Sequence, residues 1–264
     1  MLIFFKPLWA YRGFILGSVK REFQSKYSNS LLGAAWNVIQ PLAMIVVYTV
    51  IFSQVMRAKL PGVDHGFAYS IYLCAGTLTW GLFAEIVGRG QSIFLDNANL
   101  IKKISFPRIS LPVITILNAS INFAIIFGLF VSFLLISGFW PGWVILAVIP
   151  VLIVQLFFAI GLGVTVGILN VFFRDAGQFI SVLLQFWFWF TPVVYPASIL
   201  PEAVKSLMGF NPMYPVIVSY QNIFVNSQWP EWMTLVYPLV SGLVLCSLGL
   251  RLFRQRVGEM VDEL

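Results

Sequence analysis

From Ile109 to Phe173 the chain carries no Asp, Glu, Lys or Arg, and its one strong break there is the turn SGFWPGW at 137–143. A soluble fold cannot be covered by such a stretch, because a water-facing surface needs charge. A membrane-crossing helix needs about 20 apolar residues, so this run holds two of them joined by a turn. The chain reads as an integral membrane protein. Composition agrees, with 59% hydrophobic and 10% charged residues and a mean hydropathy of +0.90, values of the membrane class.

Apolar runs place six spans at 38–56, 68–87, 109–137, 143–172, 179–196 and 233–250. Cationic residues alternate between the two sides they create. One side receives Lys6, Arg12, Lys20, Arg21, Lys26, Arg89, Lys102, Lys103, Arg108, Arg174, Arg251, Arg254 and Arg256, the other only Arg57, Lys59 and Lys205. Positive charge stays on the cytoplasmic side, so both termini are expected there. The net charge of +6 therefore sets orientation, and nucleic acid is not an expected partner. The start, MLIFFKPLWAYRG, does not read as a cleavable signal, because Lys6, Pro7 and Arg12 interrupt any apolar core.

Before the first span, residues 13–27 read GFILGSVKREFQSKY. Ile15, Val19, Phe23 and Tyr27 recur every four residues while Lys20, Arg21, Gln24 and Lys26 face elsewhere, the pattern of an amphipathic interfacial helix. It serves either as a membrane anchor or as a docking element for a cytoplasmic partner. Two further cytoplasmic segments, DNANLIKKISFPR at 96–108 and NVFFRDAGQ at 170–178, are short and polar. They are either plain turns with topogenic charge or short helices that press into a partner. Between spans five and six, Pro196, Pro201, Pro212, Pro215 and Pro230 divide 197–232 into pieces too short to span. A hairpin of short helices dipping into the outer leaflet is the expected solution.

Several chemistries are missing from the sequence. It has no GxxxxGK[ST] phosphate loop, no G-x-S-x-G elbow and no H-E-x-x-H. His65 is the only histidine, which makes a metal site improbable. Cys74 and Cys246 lie in apolar runs and read as free buried thiols. Glu85 is the one candidate for an ionisable carrier residue in a span. Arg89 stands four residues on, in the order that favours a helical ion pair, and a structural pair is the better reading.

Aromatic residues make up 16% of the chain, with FWFWF at 186–190. An interfacial belt accounts for Trp140, Trp143, Trp229 and Trp232. Five consecutive aromatics instead point around the whole helix, so some must face protein or a pathway, and their faces suit a neutral or lipid-linked polymer. Gly161, Gly163 and Gly167 offer a small-residue face for close helix packing.

Four segments carry a family resemblance. KREFQSKYSNSLLGAAWNVIQP at 20–41, NANLIKKISFPR at 97–108, FFRDAGQ at 172–178, and FTPVVYP at 190–196 followed by NPMYP at 211–215 stand in order and spacing across essentially the whole chain. Together they resemble ABC-type polysaccharide-export permeases, the membrane subunits that move O-antigen, capsule or teichoic-acid polymers on lipid carriers. The resemblance implies an all-α integral membrane fold that forms one permease domain over 1–264. Six transmembrane helices would lie within 38–250, with an interface helix at 13–27 and short re-entrant gate helices at 197–227. It implies a homodimer in the bacterial cytoplasmic (inner) membrane, bound to two copies of a separate ATP-binding ABC subunit. ATP and its magnesium would belong to that subunit, with no cofactor or metal on this chain. The residues expected to couple the two are Asn97, Leu100, Lys102 and Lys103 in one segment and Phe173, Arg174 and Asp175 in the other. Lys20, Arg21, Phe23 and Lys26 would serve the interface helix, and Pro201, Pro212, Tyr214 and Pro215 the gate. Phe186, Trp187, Trp189 and Tyr195 would line an aromatic conduit for lipid-linked polysaccharide, O-antigen before capsule. The rival readings are a related ABC permease for a lipid or drug, and a membrane enzyme acting on a lipid-linked sugar. The enzyme requires an interfacial acid, base or metal cluster that the sequence does not display.

Overall fold

A computed structural model describes residues 9–25, 32–51, 60, 66–103 and 107–264. Regular structure among them is helical. The interface helix α1 is Arg12–Ser25, and α2 is Trp36–Tyr48. α3 (Ala68–Asp96) is followed at once by the short α4 (Ala98–Lys103), then by α5 (Ser110–Ile136). A 3-10 turn at Gly142–Ala147 leads straight into α6 (Val148–Phe172), and α7 follows at Asp175–Phe190. The short α8 (Glu202–Met208) and α9 (Met213–Gln221) precede α10 (Val236–Arg256) and α11 (Glu259–Glu263).

Four of these helices are long and apolar enough to cross a membrane: α3, α5, Gly142–Phe172 and α10. At about 1.5 Å per residue, even the 21 residues of α10 reach the thickness of a hydrocarbon core. Of the expected first span, 38–56, the shorter apolar helix Val38–Ile51 is described, and 52–56 lie outside the described residues. The expected fifth span differs from its sequence reading. α7 begins at Asp175 and stops at Phe190, where the apolar run of 179–196 continues. Pro192 cannot donate to a continuing helix, and the chain turns extended at Thr191, with φ −111° and ψ 134°.

α3 is the centre of the bundle. In its apolar window 67% of residues are buried, against 22% in α5 and α10. It packs along α6, α5 and α9, while α10 lies along α6. Glycine makes the closest approaches. A side chain on Gly90 would reach within 2.9 Å of the Gly163 Cα, and one on Gly167 would strike the Gly90 carbonyl. One on Gly161 would meet the α10 backbone at Cys246 at 2.7 Å. The small-residue face read from the sequence is thus spent on contacts within the chain. Paired residues climb together, Thr79 with Gln155, Phe83 with Phe158 and Gly90 with Gly163. α3 and α6 therefore run parallel and end on the same side.

Candidate functional site

Because α3 and α6 are parallel, the two short segments singled out in the sequence emerge side by side. The first starts at Asn97, whose side-chain amide donates to the Ile93 carbonyl at 2.8 Å and turns the chain into α4. Ile101 is buried and Leu100 half-buried in a satellite core with Ile93, Phe94, Leu111, Ile168, Phe253 and Met260, which leaves Lys102 exposed. Lys103 closes α4. The second segment is the bend between α6 and α7, where Phe173, Arg174 and Asp175 are all exposed. Asn170 holds this bend in place. Its amide donates to the Gln91 carbonyl of α3 at 2.8 Å, and its oxygen accepts the Gly177 backbone N–H at 3.0 Å. A cleft of about 450 Å³ lined by Gln91, Ala98, Asn170, Arg174, Gly177 and Ser181 separates the two segments.

The interface helix lies against the start of α5. Ile15 and Val19 are buried on Ile114, as their four-residue spacing requires. Lys20 and Arg21 are exposed and Phe23 is half-buried; Lys26 lies outside the described residues. The unexpected member is Glu22. One of its oxygens accepts from Arg89 Nη2, and the other accepts from Asn118 Nδ2 at 2.5 Å. Arg89 also reaches Glu85 at 3.5 Å, the helical pair expected from sequence. Asn122 donates to the second Glu85 oxygen at 2.9 Å. The pair is thus the middle of a five-residue network over α1, α3 and α5.

At the opposite end the motif Thr191–Pro196 is clamped by side chains that stand in for a helix ladder. Tyr72 Oη shares its one proton between the carbonyls of Pro192 and Tyr195, at 3.0 and 2.8 Å. Tyr69 reaches the Val194 carbonyl at 2.9 Å, and Gln221 the Pro192 carbonyl at 2.9 Å. Buried carbonyls must find donors, and here α3 and α9 supply them. The aromatic run divides. Trp187 packs edge-on against Trp80, Phe83 and Phe158, and its indole N–H donates to Asn211 Oδ1 at 2.8 Å. Phe186, Trp189 and Phe190 are exposed by 61–64%. Tyr195 is half-buried and donates to the Trp189 carbonyl at 2.6 Å. Of the residues expected at the gate, Pro201 caps α8 and is exposed, and Pro212 caps α9. Tyr214 and Pro215 are half-buried in its first turn. Among the described residues no group of His, Cys, Asp and Glu gathers that would hold a metal ion.

The profile of the ABC-2 type transporter family matches residues 15–225, most of the chain, from within α1 through α9. The chain belongs to the ABC-2 type transporter family. It is 32% identical over 266 residues to the O-antigen export system permease protein RfbA of Myxococcus xanthus, with 100% of both chains covered. A protein of the same name from Klebsiella pneumoniae is 29% identical over 237 residues, 89% of this chain and 88% of that one. The polysialic acid transport protein KpsM of Escherichia coli is 19% identical over 242 residues, with 91% and 92% covered.

In this ABC-2 transporter the exposed segments are legible in the sequence, whereas the side chains that fix them are not. Glu22, Tyr72, Asn170, Asn211 and Gln221 each bind a partner at least 20 positions away. The available signal was a polar side chain in or beside an apolar run, where it must find a partner or cost free energy.

Proposed function

We propose that the chain is the membrane subunit of an ATP-driven exporter that moves a lipid-linked polysaccharide, O-antigen foremost, across the bacterial cytoplasmic membrane. The observation that carries this reading is end-to-end similarity to a protein named as an O-antigen export permease. Two copies of the chain would assemble with two copies of an ATP-binding subunit, which would hold ATP and its magnesium. The sequence has no phosphate loop of its own.

Six spans with both termini in the cytoplasm follow if α2 with its continuation and α7 with Thr191–Pro196 complete the crossing. In that topology Asn97–Lys103 and Phe173–Asp175 face the ATP-binding subunit. Their exposed Lys102, Arg174 and Asp175 suit a polar cleft on it. α8 and α9 would form the outer gate, set by the clamped Thr191–Pro196 motif. Phe186 and Trp189, exposed on α7, are the aromatics free to line a conduit between two copies. Trp187 would hold the gate through Asn211.

The test is deletion of the gene in its native host, followed by gel analysis of surface polysaccharide. Loss of surface polymer with undecorated chains retained inside, restored by the intact gene, is the expected result. Unchanged surface polymer in the deletion strain overturns the glycan assignment and favours a lipid or drug substrate.

A further inference from the structure

We propose that Glu22 is a positioning residue of the transport cycle, the joint through which movement of the interface helix is passed into spans α3 and α5. The proposal rests on the exporter reading above and assigns a role within it.

Glu22 is the sole acidic residue in α1, beside Lys20 and Arg21. It follows Ile15 and Val19 at i+7 and i+3, so it lies on the face that docks rather than on the cationic face. The apolar seam of Ile15 and Val19 on Ile114 already seats α1 on α5. Glu22 adds a tie to a third helix, because its two oxygens accept from Arg89 of α3 and Asn118 of α5. Neither donor is easily reassigned. Asn118 is 8% exposed, so its amide has little water to turn to in place of this carboxylate, and its buried oxygen accepts no hydrogen bond from the described residues. Arg89 sits between two carboxylates, Glu22 and Glu85.

The position of Arg89 along α3 gives the tie its consequence. Asn97, where the first exposed cytoplasmic segment begins, is eight residues further on, about 12 Å along the same helix. Between them lies a cleft of about 400 Å³ whose walls include Glu22, Arg89, Asp96, Asn97 and Leu100. α1 and the Asn97 segment therefore bear on one helix across an open space. A push on either changes the cleft and loads the Glu22–Arg89 pair. The pair is held but not sealed, with Arg89 34% and Glu22 42% exposed, so water can enter as it separates.

The test uses the full complex with its ATP-binding partner in native membranes, comparing wild type with Glu22→Gln, Arg89→Gln, the double variant and Glu22→Asp. Membrane level, co-purified partner, ATP turnover and polymer exported per ATP are read for each. The expected result is that Glu22→Gln keeps its level, partner and ATP turnover while export per ATP falls by about fivefold or more. The double variant is then no worse than either single one, because both break the same tie, and Glu22→Asp recovers part of the loss. Unchanged export per ATP in Glu22→Gln overturns the proposal. So does a loss of export that only tracks a loss of protein, which would make Glu22 a fold contact. If Glu22→Gln does not accumulate, Glu22→Asp decides: uncoupled hydrolysis supports the joint, and normal coupling sinks it. Failure of the wild-type complex to export glycan would count against the exporter reading itself, since only ratios to wild type bear on Glu22.

Discussion

Asn170 and Gly177 close the α6–α7 bend on itself: the Gly177 N–H donates to the Asn170 oxygen at 3.0 Å while the Asn170 amide is anchored on Gln91 of α3 at 2.8 Å. A Cβ at Gly177 would lie 2.6 Å from the Asn170 nitrogen. Gly177→Val must therefore push Asn170 off Gln91. Loss of these buried bonds should cost about 1–3 kcal/mol and release the bend that carries Arg174 and Asp175. The expected outcome is a lowered melting temperature in detergent with membrane insertion retained. Asn170→Ala should move stability in the same direction. A Gly177→Val protein as stable as wild type would show that the bend can be rebuilt without Asn170.

The glycine contacts predict a contrast between two positions one half-turn apart on α3. A Cβ on Gly90 would press within 2.9–3.1 Å of the Gly163 backbone, where only backbone could yield. Gly88 has open space around its Cβ position. Gly90→Val should therefore separate α3 from α6 and abolish the monodisperse peak on size-exclusion chromatography. Gly88→Ala should elute as wild type, with stability unchanged or raised by about 1 kcal/mol from helix propensity. Equal behaviour of the two would mean that α3 and α6 do not pack through Gly90.

Some elements of the molecule are announced by their own residues, and others are not. Uncharged length gave α3, α5, α6 and α10, because a helix in lipid must satisfy its own backbone and stay apolar. Four-residue spacing gave α1 and its buried Ile15 and Val19. The end of α7 was not legible in the apolar run, since Val193 and Val194 carry that run past Phe190. What stops the helix there is Pro192 and the hydroxyl and amide groups of Tyr72 and Gln221, 120 and 29 residues away. α3 likewise continues past 87 to Asp96, and Arg89 in that extension is paired with Glu22, 67 positions earlier. Local pattern reports what a segment can bury, and long-range pairing decides where polar groups end or extend it.

Trp187 and Trp189 should separate folding from transport. Trp187 is wedged among Trp80, Phe83 and Phe158 and bonded to Asn211. Truncation to Ala should cost about 3–5 kcal/mol and loosen the Asn211–Thr191 contact, 2.9 Å long. Trp189 is 64% exposed, so Trp189→Ala should leave the melting temperature within a degree or two of wild type. Its effect is expected on export if, as proposed, the exposed indole on α7 lines the path of the polymer. Melting curves and surface polymer measured on both variants check this. Normal export by Trp189→Ala would assign that ring to lipid.

Charge reversal at Asp175 tests the exposed bend between α6 and α7 directly. Asp175 is exposed, opens α7 and joins no ion pair among the described residues. Within the fold its charge does little beyond favouring the helix N-terminus, worth about 0.3–1 kcal/mol. Asp175→Lys should therefore insert, fold and accumulate like wild type. If the bend between α6 and α7 seats in the ATP-binding subunit, a reversed charge at this exposed position places like charge or an unpaired group in that contact. Export should then be abolished, with the ATP-binding subunit reduced or absent among co-purifying proteins by mass spectrometry. Arg174→Glu should act in the same way. Normal export by Asp175→Lys would remove this bend from the coupling path and leave Asn97–Lys103 to carry it.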